Sequence, residues 1–120
     1  MNISQMLVEL KQESGFTDNV GMVLIHSGVV RGWSRKDRAP VASVKITPDL
    51  DRIQAICREL STRPGIFRIL ADARGGVLKP GEDVLVLIVA GDIRENVKPV
   101  LAELLDRVKA EAVLKEEHFA

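Results

Sequence analysis

The groups in this chain able to do chemistry are lysines and arginines, and they gather in two places. The segment Arg31-Gly32-Trp33-Ser34-Arg35-Lys36-Asp37-Arg38 holds four cations in eight residues, spaced by glycine and serine. Such a loop either holds a phosphate or carboxylate through charge-assisted hydrogen bonds or is simply a solvated loop. Arg31 stands apart, because it directly ends a strand pattern, where side-chain direction is fixed by the scaffold. The second place is the C-terminal region, with Lys109 and Lys115. Lys109 falls at the edge of an apolar helical stripe. There it either reaches into a pocket, suited to covalent or acid–base work, or lays its stem along the stripe near the negative helix end.

The remaining candidates read as structural. Arg94 opens the last helix on its polar side. Cys57 lies on a core stripe, and His26 lies within a strand between Ile25 and Ser27 with no acid, Cys or second His near it in sequence. No GxSxG, P-loop, HExxH or CxxC pattern occurs. One cysteine excludes an internal disulfide, and Cys57 with His26 and His118 does not compose a zinc site, so neither a metal nor a bound cofactor is expected.

Composition narrows the class of protein. The 120 residues carry 17 Lys+Arg against 17 Asp+Glu, so charge acts only through local clustering and a nucleic-acid role is not expected. Three Phe, one Trp and no Tyr leave no stacking platform for bases. The longest apolar run, Val84–Ala90, is far short of a membrane span. The N-terminus lacks the pattern of a signal peptide, and a cytoplasmic chain is expected. The length suits one domain, spanning residues 1–120.

The elements that must position these cations follow from periodicity. Ile3, Met6, Leu7 and Leu10 predict a helix over residues 3–13, stopped by Ser14-Gly15. Strands are predicted over Val20–Val30, Val41–Thr47, Ile66–Ala73 and Asp83–Ala90, the first with apolar residues on both faces. A helix starts at Thr47-Pro48-Asp49 with Thr47 as N-cap and runs to about Ser61. Its buried stripe is Leu50, Ile53, Ile56, Cys57 and Leu60. Gly75-Gly76 and Lys79-Pro80-Gly81 frame a turn. A last helix, with Asp92 and Glu95 as a capping box, buries Ile93, Val97, Val100, Leu101, Leu104, Leu105 and Val108. Pro99 should kink it or mark a late start. An extended tail, Ala112–Leu114, follows. The order α-β-β-α-β-β-α predicts an α+β fold, a mostly antiparallel sheet with helices packed on it.

Several short segments, in order, resemble the large, catalytic subunit of molybdopterin synthase. Gly21–Arg31 is similar to the family's first core strand, which ends in Gly-x-Val-Arg. Ala73–Glu82 resembles its His-Arg-x-Gly-x-Leu-x-x-Gly-Glu turn, and Ala90–Arg94 its Ser-x-His-Arg helix start. Asp106–Lys109 matches Asp-x-x-Lys, and Leu114–Glu117 resembles Trp-Lys-Lys-Glu. Together they span about residues 20–117. The resemblance implies an α/β-hammerhead fold and a homodimer within a heterotetramer. The partner would be a small ubiquitin-like sulfur carrier whose C-terminal Gly-Gly bears a thiocarboxylate. The implied reaction is transfer of two sulfurs to cyclic pyranopterin monophosphate, forming the dithiolene of molybdopterin. Carried over by position, Lys109 and Lys115 are catalytic, while Arg31, Arg94 and Arg74 bind the anionic pterin.

Arg94 and Lys109 lie fifteen residues apart on one predicted helix, roughly 22 Å. They cannot grip one small substrate within a single chain, and a two-fold dimer that brings Arg94 of one subunit toward Lys109 of the other would solve this. The chain departs from the family pattern at Ala73 and Ile93, where the family has histidine, and at Leu114, where it has tryptophan. An alternative reading is therefore a non-catalytic dimeric relative that binds an anion or pterin as a regulatory module.

Overall fold

The computed structural model describes all 120 residues. Helices α1 (Ile3–Lys11) and α2 (Phe16–Asn19) precede strands β1 (Met22–Val29) and β2 (Val41–Pro48). Helix α3 (Leu50–Leu60) leads to β3 (Ile66–Ala73), β4 (Gly76–Leu78) and β5 (Asp83–Gly91). Helix α4 (Arg94–Glu111) and β6 (Val113–Phe119) complete the chain. All pairings are antiparallel, as the α+β reading expects, but the strands divide into two three-stranded sheets rather than one: β1-β5-β3 and β4-β2-β6.

The first sheet is organised by β5, whose residues Leu85–Ala90 are all buried. Its side chains alternate between two cores. Leu85, Leu87 and Val89 pack against Ile53, Ile56 and Leu60 of α3 and Val97, Val100, Leu104 and Val108 of α4. Val86, Ile88 and Ala90 pack on the opposite face against Leu10 of α1, with Phe16 of α2 joining them. Burying each such side chain favours folding by about 1.5–3 kcal/mol, which makes the doubly covered central strand the backbone of the fold. The second sheet has its own small core of Val30, Val41, Val44, Ile46 and Leu78. No helix is long and apolar enough to cross a membrane.

Several local expectations are corrected. Asp49, not Thr47, caps α3, its carboxylate accepting the Arg52 N–H at 3.0 Å. Thr47 and Pro48 instead finish β2, where Pro48, lacking an N–H, sits at the strand's last position opposite Val113. Leu50 and Ile93, placed in buried stripes by periodicity, are exposed because each sits at its helix start, before the helix reaches the sheet. No side chain caps α4, whose N-cap is Ile93. Asp92 instead accepts hydrogen bonds from the Ile93 N–H and Asn96 Nδ2, which hold its carboxyl below the usual range. Helix α4 starts early and continues through Pro99. The short tail expected at 112–114 is a full strand, β6, paired with β2 from Val113 to Phe119.

Candidate functional site

A cleft of about 900 Å³ opens where the end of the first sheet, the C-terminal end of α4 and the inner face of the second sheet meet. Register explains the space. On the α4 side of the first sheet, Gly28 of β1 and Ala73 of β3 both lie opposite Leu85 of β5. Two of the three side chains in that row are therefore minimal, and the wall recedes. In the second sheet Lys115 pairs with Ile46, and Glu117 with Val44, so these β6 groups share a face with the inward apolar residues of β2.

Lys109 enters the cleft from the last turn of α4, Lys115 from β6, and Arg31 from the segment just after β1. Arg35 and Lys36 of the same loop line it too. Five lining side chains are thus cationic against one carboxylate, Glu117, and the cleft favours an anionic ligand. Glu117 is held in place: Oε1 accepts from buried Ser34 Oγ at 3.0 Å, and Oε2 lies 3.9 Å from Lys115 Nζ.

The loop from Arg31 to Arg38 is built rather than loose. Trp33 bridges Pro40, and the N–H of Ser34 donates to Ala39 O at 2.9 Å while that of Arg38 donates to Ser34 O at 2.8 Å. The Arg31 and Arg38 guanidinium carbons lie 4.8 and 4.1 Å from the centre of the Trp33 ring system.

Two of the arginines singled out in the sequence are not brought to the cleft within this chain. Arg94 stands at the opposite end of α4, 78% exposed and 3.4 Å from Glu95. The helix separates it from Lys109 by about 22 Å, as the spacing requires. Arg74 follows cleft-lining Ala73 with its N–H donated to Val84 O, and its side chain is exposed outside the lining. Of the three departures from the family pattern, Ala73 lines the cleft, Ile93 lies at the far helix end, and Leu114 is exposed on the outer face of β6.

His26 is the cleft residue that sequence reasoning set aside. It sits opposite Leu87 on the α4 face of the sheet, with Nε2 buried and unpaired. Gly28, two residues on, makes room for the ring; a Cβ there would stand 3.3 Å from Nε2. Burial, helped by the nearby Lys109 charge, lowers the imidazole pKa below its usual value. The available signal was parity: His26 and Gly28 share a strand face.

A sequence model of the MoaE protein family matches residues 2–111. The chain belongs to this family. A "probable molybdopterin synthase" from Haloferax volcanii is 30% identical over 117 residues; the match covers 92% of this chain and 44% of that protein, so the chain spans less than half of its relative's length. Among solved structures, molybdopterin synthase from Staphylococcus aureus is similar to the whole chain, over 86% of its own, with a TM-score of 0.80 at 17% identity. Molybdopterin cofactor biosynthesis protein E from Burkholderia multivorans also covers the whole chain, and 82% of its own, at 0.77 and 19%. A complex of subunits 1 and 2 of molybdopterin-converting factor from Helicobacter pylori matches 98% of this chain and 80% of its own at 0.70 and 14%. At these identities the structural likeness establishes the fold: this MoaE-family chain has the molybdopterin synthase architecture.

Proposed function

We propose that this chain is the catalytic subunit of a molybdopterin synthase, transferring sulfur from the C-terminal thiocarboxylate of a small ubiquitin-like carrier to cyclic pyranopterin monophosphate. The observation that carries this reading is the convergence of Lys109, Lys115 and Arg31 on one cleft from a helix, a strand and a loop. The Helicobacter pylori complex of two converting-factor subunits supports a small partner subunit.

In this mechanism the cleft gathers two anions, a thiocarboxylate and a phosphate ester, that would otherwise repel. Arg31 offers a planar fork to the phosphate, the geometry in which guanidinium outperforms ammonium. Lys109 holds the thiocarboxylate near the reacting carbon. Lys115, beside Glu117, supplies the second cation and steadies negative charge as the carrier's C–S bond breaks. Sulfur bonds to a side-chain carbon of the pterin as a C–O bond of that carbon breaks, the oxygen leaving as water or on the opened cyclic phosphate. Water then cleaves the carrier's C–S bond, so the sulfur stays on the pterin and the carrier is left as a carboxylate. A dithiolene needs two such transfers.

The 22 Å between Arg94 and Lys109 is bridged in a two-fold homodimer, where Arg94 of one subunit faces the cleft of the other, giving a heterotetramer with two carriers. Arg74, just past the end of β3 and outside this chain's own cleft lining, is the third arginine proposed to bind the pterin. A cytoplasmic location is part of the same proposal.

The test is single-turnover reconstitution with thiocarboxylated carrier and cyclic pyranopterin monophosphate, quantifying molybdopterin as its fluorescent oxidation product. Formation of product is expected. Ala73, a methyl group in the cleft wall where the family pattern has imidazole, favours the second reading of a non-catalytic binding module. Carrier binding without product would establish that reading instead.

A further inference from the structure

Trp33 is the chain's single tryptophan, and it lies in the one loop that delivers a guanidinium to the cleft. It does not itself line the cleft; Arg31 does. The Arg31 guanidinium carbon is 4.8 Å from the indole centre, within the range at which a cation is drawn to an aromatic face. Arg38 lies at 4.1 Å from the same ring. Its backbone reaches there at φ +64°, and it is the one non-glycine residue with positive φ. That conformation is unfavourable for an L-residue with a long side chain and persists where surrounding contacts over-determine it. Two arginines that would repel in solution are thus held on one aromatic residue, in a loop closed by the Trp33–Pro40 bridge.

We infer that Trp33 is a positioning residue: its indole, itself pinned by Arg38, pre-orients the Arg31 guanidinium so that an anionic group entering the cleft meets a fixed fork rather than a mobile side chain. Ordering a long side chain in advance removes part of the entropic cost of binding. The effect falls on ligand affinity rather than on the reacting centre. The inference rests on the reading above for the nature of the anion, a phosphate ester, but not for the location of its site.

The arrangement also carries its own reporter, since any anion that engages Arg31 perturbs the only indole in the protein. The first experiment titrates the full chain with inorganic pyrophosphate at constant ionic strength and follows tryptophan emission. A saturable change, abolished in Arg31→Ala, is expected; a flat response in the wild type overturns the inference. The second measures pyrophosphate affinity by calorimetry in Trp33→Leu and Trp33→Phe. Trp33→Leu should weaken binding about three- to tenfold, with Trp33→Phe recovering most of the loss because it keeps an aromatic face. Equal affinity in wild type and Trp33→Leu overturns the inference, as does a Trp33→Phe variant no better than Trp33→Leu. Should Trp33→Leu fail to fold, the wild-type titration and Trp33→Phe still decide it: Trp33→Phe must bind within about threefold of wild type, and a larger loss counts against an aromatic–cation role. In the reconstituted reaction Trp33→Leu should raise the KM for the pterin by the factor that it weakens pyrophosphate binding; a loss confined to kcat overturns the inference. An anion response without sulfur transfer would remove the catalytic reading and leave Trp33's role standing.

Discussion

Ser34 Oγ donates a 3.0 Å hydrogen bond to Glu117 Oε1 across 83 residues of sequence. It ties the arginine loop to β6 and fixes the one carboxylate in a cationic cleft. Ser34 is only 3% exposed, so its hydroxyl has no easy alternative partner. Ser34→Ala is expected to destabilise by about 1–2 kcal/mol in urea unfolding, and to release Glu117 toward Lys115. Unchanged stability together with an unchanged salt dependence of activity would show that the bond does neither job.

Lys109 is exposed at the end of α4 and forms no ion pair. Lys109→Ala is therefore expected to abolish product formation while shifting the denaturant midpoint very little, a surface change within about 0.5 kcal/mol. Retained activity would remove Lys109 from the mechanism.

His26 predicts a pH effect on stability of definite sign. Its folded pKa is lowered by burial and by Lys109, so the unfolded chain binds the proton more readily. The contribution is fully present above the unfolded value, near 6.5, and is lost as pH falls below it toward the folded value. The melting temperature should therefore fall between about pH 7.5 and 5.5 by more in wild type than in His26→Phe. The other charges facing the same cleft are Arg31, Arg35, Lys36, Lys115 and Glu117. Identical pH profiles for the two proteins would exclude His26 as the source.

The distance along α4 gives a test of a shared site. Mixing Arg94→Ala with Lys109→Ala protein, each inactive alone, should restore about a quarter of wild-type activity: half of random dimers are mixed, and each keeps one of two sites intact. Light scattering should give about twice the 13.2 kDa chain mass. A monomer, or mixtures as inactive as their components, would leave Arg94 without a role in the cleft.

Leu104 is fully buried where α4 packs on α3 and β5. Leu104→Ala should cost about 2–5 kcal/mol in chemical denaturation, through lost burial and the cavity left behind. Because this residue lies one turn and a half before Lys109, activity at saturating substrate should persist wherever the variant remains folded.

The sequence by itself determined the elements whose patterning is dominated by burial. The unbroken apolar run of β5, the stripe of α3 after Leu50 and the stripe of α4 after Ile93 were legible because burial alone dictates those residue types, along the whole of a doubly covered strand and at helical period on a helix. The ordered short motifs likewise pointed to the family and to Lys109, Lys115 and Arg31. Only the tertiary structure decided the rest. Strand β6 was unreadable as a strand because its inward face carries Lys115 and Glu117 rather than apolar residues; the site itself erased the alternation that would have announced it. His26 gained its importance from Gly28 and Lys109, and Trp33 from Arg31 and Arg38. For the same reason the division into two sheets, and the cleft between them, was absent from the sequence reading. Periodicity encodes which face of an element is buried, but it carries no information about which charged groups distant segments bring together, and that juxtaposition is what the folded chain supplies.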